Sequence, residues 1–592
     1  LAQRASFVTL STTLATNAIV EGKGAEVGAI IAIPEPKIDW PLPPALIKVI
    51  SGGHNVRGIP CAELDVRAIA KAAQEFRGRA EAVAISSYFS VRNPEHELRA
   101  KAILEETLDI PIVCGHEITA SLGFRERTVT AILNARIIPI IRNLILAVKQ
   151  VLKELNINAP LLIVKSDGSL MDEKSALMKP IKTVLSGPAA SVFGALYLTR
   201  QSDAVVVDIG GTTTDVAIIE GGRPLLKEEG TAIRSWHTLV KSMDIATAGL
   251  GGDSYIRRSK DGLIQIGPQR VLPLSMLAKS FPAVIEELKA IFEEIKDATH
   301  REAYLSEPHD FVYLIKRNVS PFEENEKAIV EALKKGPIPI RRLARIANTH
   351  PDLLPLERLE GTGTIGRSGL TPTDALHARG IINIGEAAAS LLGFRIMASA
   401  LKTDERELIE GIEKRFVGDL TRHILNKVIA SCLNLQKADS CPICKGLVDQ
   451  ALGHNTMRLL DTSLSLKIPL IGVGAPAGIY MPAVARHLGA KLYIPEHAEV
   501  ANAVGTVVGN VVESAQIIIR KLDDTYLMFA PWERKAFDDH QEAERYAIRL
   551  GTTKIKEAIT ADGLPEPDVY IKKEEVFEGE ILISVSAVRK PW

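Results

Sequence analysis

Asp208 and Asp215 bracket the run Ile209-Gly210-Gly211-Thr212-Thr213-Thr214, the segment of this chain best equipped for chemistry. Val205-Val206-Val207 lead into it and Val216-Ala217-Ile218-Ile219 lead out, so the pattern predicts strand, tight turn, strand. Consecutive glycines expose backbone N–H groups that can form an anion-binding concavity. The threonine hydroxyls add donors, and the two carboxylates can hold a hydrated Mg²⁺ or position a water. A phosphate with its metal fits those parts. An ordinary Gly-Gly hairpin with solvated threonines is the plainer alternative, yet it has no need of acids on both flanks.

Two more glycine turns follow. Gly249-Leu250-Gly251-Gly252-Asp253 sits after a strand-like segment, and Gly472-Val473-Gly474-Ala475 ends an apolar run and opens a helix. Glycines there allow a flat ring or a phosphate to approach the backbone, although a plain glycine loop reads the same way. His237, Asp244, Asp374 and His377 are candidates for chemistry on a substrate. Asp374 and His377 are three apart, so a helix sets them on one face as a metal pair needs. A capping Asp beside a solvated His explains them equally well. Cys441-Pro442-Ile443-Cys444 is a CxxC with Cys432 upstream; a metal would need a further ligand such as His454, and structural or incidental cysteines are the simpler reading.

At the 208–215 hairpin the chain resembles the hydantoinase/oxoprolinase family, whose ATP-binding half belongs to the actin, sugar-kinase and heat-shock-chaperone ATPase superfamily. Ser11-Thr12-Thr13-Leu14-Ala15-Thr16-Asn17-Ala18 and Gly369-Leu370-Thr371-Pro372-Thr373-Asp374-Ala375 are also similar to segments of that family. The resemblance implies two actin-like (ribonuclease H-like) ATPase domains of α/β class. It makes the hairpin the second phosphate loop, with Asp208, Asp215 and Thr212 catalytic and Mg²⁺ on the two aspartates. ATP would lie against Gly210, Gly211, Thr213, Thr214, Gly249, Gly251, Gly252, Asp253, Gly472, Gly474 and Ala475. Family members carry a first Asp-x-Gly-Gly-Thr loop near their start. This chain opens on Leu1-Ala2-Gln3-Arg4, which reads as the middle of a domain, so the expectation is that an N-terminal piece with half of the nucleotide clamp is missing.

The elements that must position these residues follow from patterning. With 592 residues the chain exceeds one core, and an apolar share of 46% suits an α/β protein. Lys plus Arg number 71 against 72 Asp plus Glu, a balance that argues against a general nucleic-acid binder. No uninterrupted apolar run of about 18 residues predicts a membrane span. Five cysteines form no disulfide framework, and the expected location is cytoplasmic. Alternating strands and helices, with the resemblance, imply a first actin-like domain over 1–200, with a long helix or helix pair over 125–155. A second domain is expected over 201–275 and 371–520, a helical, winged-helix-like insert over 276–370, and a small α/β extension over 521–592. Ser186 is a candidate helix cap. Small residues over 501–509 predict close packing against a helix over 125–136, with Asn502 bonding a backbone group.

The implied activity is ATP-dependent hydrolysis of a cyclic amide, a hydantoin, 5-oxoproline or related lactam, by phosphorylation of its carbonyl oxygen. Ring opening is then expected on a separate hydrolase-type partner subunit, since no Ser-His-Asp set is evident; a homo-oligomer is also admitted. The alternative is a nucleotide-dependent regulatory or activator ATPase that presents a surface through domain closure.

Overall fold

The computed structural model describes residues 5–20, 22–227, 229–259, 262–296, 307–316, 324–453, 461–522, 524–559, 566–577 and 579–589. The chain is a mixed α/β protein that divides into two compact units. Unit 1 takes residues 1–200, 223–244 and 500–592, and unit 2 takes 201–222 and 245–499.

Unit 1 contains a parallel sheet in the order Leu46–Ser51, Val27–Ile33, Ala82–Ser87, Ile112–Cys114. Val27–Ile33 is buried along its whole length, as a parallel strand covered on both faces must be. Its period of two divides the neighbours: Ile30, Val83 and Ile85 pack with Ile69, Phe76 and Leu104 of the helices Val66–Phe76 and Glu95–Glu105. Ala29, Ala82 and Ala84 face the helix Phe124–Glu154 instead. That helix is long and apolar enough to cross a membrane by length and composition. It is nevertheless the core helix of unit 1, and it buries polar anchors. Asn134 donates to Met178 O at 3.0 Å and accepts from Ile181 N at 3.0 Å, while Arg136 donates to Pro44 O at 2.8 Å.

A second, eight-stranded sheet of unit 1 runs from Val8–Leu10 through Leu161–Val164 and Leu170–Asp172 to Val511–Leu522. Val511–Leu522 pairs antiparallel with Glu580–Arg589 from Val511↔Arg589 to Arg520↔Glu580, and His540–Ile559 covers a face of the sheet. Residues 521–592 are therefore not a separate extension. Their strands complete a sheet begun near the N-terminus, because the open edge of 511–522 must be paired. Residues 223–244 likewise leave the expected second domain, since Ile233 and Val240 belong to the core around the long helix.

The helices Ser186–Thr199 and Ala501–Val508, both in unit 1, approach until their backbones touch. A Cβ on Gly505 would lie 1.7 Å from Ala190 O, and one on Gly194 would lie 1.8 Å from Ala501 O. Asn502 Nδ2 donates to Gly187 O at 2.7 Å, as expected of it. The partner helix is 186–199, however, and not 125–136, which packs on the parallel sheet. Ser186 is no cap either: Leu185 takes that position at φ 62°, and Ser186 Oγ donates to Thr12 O at 3.1 Å.

Unit 2 carries the sheet Ile245–Ala248, Thr214–Glu220, Ala204–Ile209, Leu470–Val473, Leu492–Tyr493. The helices Glu405–Cys432 and Ala477–His487 meet where the Phe416 and Tyr480 rings lie 4.6 Å apart. Of the expected insert over 276–370, the part with a core of its own is smaller. Val312, Ile329, Leu333, Ile340, Leu343, Leu356 and Ile365 form that core, whereas Leu277, Val284 and Leu288 join Phe394 and Met397 in the main core of unit 2.

Candidate functional site

The β-branched run 205–207 is fully buried and forms the strand Ala204–Ile209, so Asp208 emerges near its end. Antiparallel pairing sets Asp208 opposite Asp215, and Gly210 N donates to Thr213 O at 2.9 Å to close the turn. On one flank, parallel pairing aligns Val473 with Asp208 and delivers Gly474 to the hairpin. Gly474 has φ +91°, and a Cβ there would stand 2.2 Å from Ile209 O and 2.9 Å from Asp208 Oδ1. Only glycine fits that position.

On the other flank Thr247 lies opposite Asp215 in the antiparallel register, and its Oγ1 donates to Asp215 Oδ1 at 2.5 Å. The chain then turns through 249–253 and docks on the hairpin backbone. Gly252 N donates to Gly210 O at 3.0 Å and Asp253 N to Gly211 O at 2.7 Å. Thr373 adds its N–H and hydroxyl to Gly252 O at 2.9 and 2.8 Å. Three glycine turns distant in sequence, 210–213, 249–253 and 474–476, are thereby joined in one place.

Burial pushes the Asp215 carboxyl up to about 7, and the neighbouring Asp208 charge adds to that, against the opposing Thr247 bond. A divalent cation between the two carboxylates would relieve this cost, so the pair fits a metal. Thr212 is exposed at the turn and Thr213 half-buried, within reach of a ligand. Asp253 holds Arg270 through Nε at 3.2 Å and Nη2 at 3.0 Å.

Several expected contacts turn out to be internal. Thr214 is buried and donates to Leu250 O at 2.6 Å, fastening the second turn to the hairpin. Gly472 is buried, and a Cβ there would meet Met481 Cγ at 2.9 Å; it makes room for the helix Ala477–His487. Gly249 does the same for Pro268, at 2.6 Å. The N–H groups of Gly210, Gly251, Gly252, Asp253 and Gly474 all bond within the protein. These glycines permit close backbone approach, while Thr212 and Ala475 are exposed and Gly211 and Thr213 half-buried.

Asp374 is not a metal ligand. Its Oδ1 accepts from Ser275 N, Ser275 Oγ and Ser390 Oγ, and its Oδ2 from Leu274 N, Thr371 N and Thr371 Oγ1. A carboxylate has about four lone-pair sites, so none is left for a metal. It forms a capping box with Thr371 at the helix Pro372–Ala378. His377 is buried, which pushes its imidazole below the ordinary range; it is not a solvated side chain. His237 is exposed and Asp244 pairs with Lys227 at 3.3 Å, both in unit 1. His454 lies outside the described residues. Sequence reasoning missed Thr247 and His423. Thr247 lies beside the second glycine turn, where strand alternation could have flagged it. His423 is in mid-helix, donating Nε2–H to Ala246 O at 3.1 Å in the matching tautomer, and no local signal marks it.

Residues 2–108 match the hydantoinase/oxoprolinase N-terminal region and residues 127–275 the hydantoinase/oxoprolinase domain. Caprolactamase subunit alpha of Pseudomonas jessenii is 29% identical over 284 residues, 44% of this chain and 41% of that protein. The acetophenone carboxylase gamma subunit of Aromatoleum aromaticum is 28% identical over 232 residues, 38% of this chain and 31% of that protein. The chain thus spans less than half the length of these relatives in the matched regions. In fold it is similar to nucleotide-free acetone carboxylase, with a TM-score of 0.62 at 14% identity. The ATP-dependent caprolactamase of P. jessenii gives 0.59 at 17%. Both likenesses cover 100% of this chain and 80% of the other. The chain carries, in order, both regions characteristic of the hydantoinase/oxoprolinase family, over residues 2–108 and 127–275.

Proposed function

We propose that this chain is the nucleotide-using component of an ATP-dependent enzyme that opens a cyclic amide, a hydantoin, 5-oxoproline or related lactam. The observation that carries the reading is the opposed pair Asp208 and Asp215 on a hairpin enclosed by two further glycine turns. We read this sheet as the second phosphate hairpin of an actin-like ATPase domain. Asp208 and Asp215 would hold Mg²⁺, which supplies neutralisation of phosphate charge. Gly211, Thr212, Thr213 and Ala475 offer the N–H and hydroxyl donors that orient the terminal phosphate. Thr247 fixes the Asp215 carboxylate, and the Arg270 pair restrains Asp253 at the rim.

A lactam carbonyl is a poor electrophile, and phosphoryl transfer to its oxygen gives the ring carbon a phosphate leaving group. Positioning and charge stabilisation are what such a transfer needs from protein. Several relatives are named as subunits, including caprolactamase subunit alpha and acetone carboxylase beta subunit, which supports ring opening on a partner chain. The carboxylase relatives favour a second reading, in which the same activation is applied to a ketone.

Isotope transfer tests the reading. The full chain, alone and with a hydrolase-type partner subunit of the family, is given ATP, Mg²⁺ and lactams labelled with ¹⁸O at the carbonyl. The label should appear in inorganic phosphate, and Asp208→Ala should abolish the transfer. Lactam-dependent ATP hydrolysis with unlabelled phosphate would overturn carbonyl phosphorylation. Turnover with ketones alone would move the assignment to the second reading.

A further inference from the structure

Cys441 and Cys444 stand at the start of the helix Pro442–Ala451 in unit 2, outside the site described above. Cys441 is the N-cap, at φ −95° and ψ 110°, and its Sγ accepts the N–H of Cys444 at 3.5 Å. Pro442 takes the first helical position, where a missing N–H costs nothing. The two cysteines differ in accessibility: Cys441 is half-exposed, Ile443 beside it is 74% exposed, and Cys444 is buried at 7%. The platform is anchored, because Arg422 of the helix Glu405–Cys432 pairs with Asp449 at 2.5 Å and Asn426 donates to Asp439 at 2.8 Å. Among the described residues Cys432 does not join the two in a cluster with metal-ligand spacing.

We propose that Cys441 and Cys444 form a thiol–disulfide exchange pair, with Cys441 the attacking and Cys444 the resolving sulfur. A reactive thiolate at the head of a helix, with a second cysteine three residues on, is the arrangement such exchange needs. The bonds from Cys444 hold the Cys441 thiol below the ordinary range, and the same pairing lifts Cys444 above it. The attack order follows. The Cys441 thiolate attacks one sulfur of a small disulfide such as glutathione disulfide, forming a mixed disulfide and expelling one thiolate. Cys444 then gives its proton to solvent and attacks Cys441 Sγ, closing the Cys441–Cys444 disulfide and expelling the second thiolate. Two protein thiols are oxidised and one disulfide is reduced to two thiols.

Trypsin cleaves after Lys437 and Lys445, so residues 438–445 carry both cysteines on one peptide. The full chain treated with glutathione disulfide should yield that peptide lighter by two hydrogens and resistant to alkylation. In Cys444→Ser the peptide should retain one glutathione on Cys441, and Cys441→Ser should leave Cys444 unmodified. Near pH 7, iodoacetamide should label Cys441 about tenfold faster than the exposed Cys432. Equal labelling of Cys441 and Cys432, or no 441–444 disulfide in the wild-type chain, would overturn the proposal. So would tightly held stoichiometric zinc that protects both thiols, which would make the pair a metal site.

Discussion

Asp208 and Asp215 are direct partners across an antiparallel hairpin, the first half-buried and the second buried. Like charges placed opposite each other on a sheet destabilise it. Here the Thr247 hydroxyl compensates at Asp215. The hairpin thus carries an electrostatic cost that a cation can remove.

That cost has a sign in pH. The Asp215 carboxyl rises from 3.8 to about 7 in the fold, so the folded state binds the extra proton between those values. Stability is full below the lower value and falls as pH rises toward 7, by at most about 1.4 kcal/mol per pH unit. Without divalent cations, Asp215→Asn should melt with wild type near pH 4 and above it at pH 8. Mg²⁺ with nucleotide should raise the wild type alone. Thermal melts showing the same difference at both pH values would refute the buried-pair argument.

Gly474→Ala should damage both stability and nucleotide binding. The positive φ costs about 1–3 kcal/mol for a side-chain-bearing residue, and the contact with Ile209 O forces the turn off the hairpin. Gly478→Ala, with open space around its Cβ, is the control that should change little. Calorimetric ATP titration of both variants checks the contrast; equal affinities would separate Gly474 from the site.

Gly505→Ala tests the helix pair of unit 1. The helices 186–199 and 501–508 must move apart, an overpacking that costs about 1–3 kcal/mol or more. Gly411→Ala, in a helix with nothing nearby, should gain about 0.5–1 kcal/mol. Urea midpoints measure the two shifts, and an unchanged midpoint for Gly505→Ala would contradict the backbone contact.

The small module around 311–369 should not bind duplex DNA in a salt-dependent way. Four of its basic side chains are engaged by acids: Lys334 with Glu331, Arg342 with Glu287 at 2.5 Å, Arg358 with Glu326 and Arg367 with Glu360. Cations paired in this way displace fewer counterions from phosphates. Fluorescence anisotropy of the full chain with duplex DNA at 50 and 200 mM salt checks this, and affinity that collapses between them would reverse it.

Local patterns carried a large part of the fold. The run 204–220, the long helix and the strands near the C-terminus all lie where alternation and turn residues place them. Unit membership was not legible, because residues 223–244 and 500–592 join unit 1 through pairing with strands and helices hundreds of positions away. The partner of 501–508 was misassigned for the same reason: a small-residue stripe shows that something packs closely and leaves open which helix does so.

By itself the sequence determined that a Gly-Gly-Thr hairpin bears two acids and that glycine turns recur at 249–253 and 472–475. Tertiary structure decided what each glycine is for. Gly474 and Gly251 let backbones meet, while Gly472, Gly249 and Gly211 admit a neighbouring side chain, that of Asp253 at Gly211. It also turned Asp374 from a ligand candidate into a saturated cap. Residue type and spacing fix which bonds a segment can make locally, but competing donors arrive from strands and helices that only the folded chain brings within 3 Å.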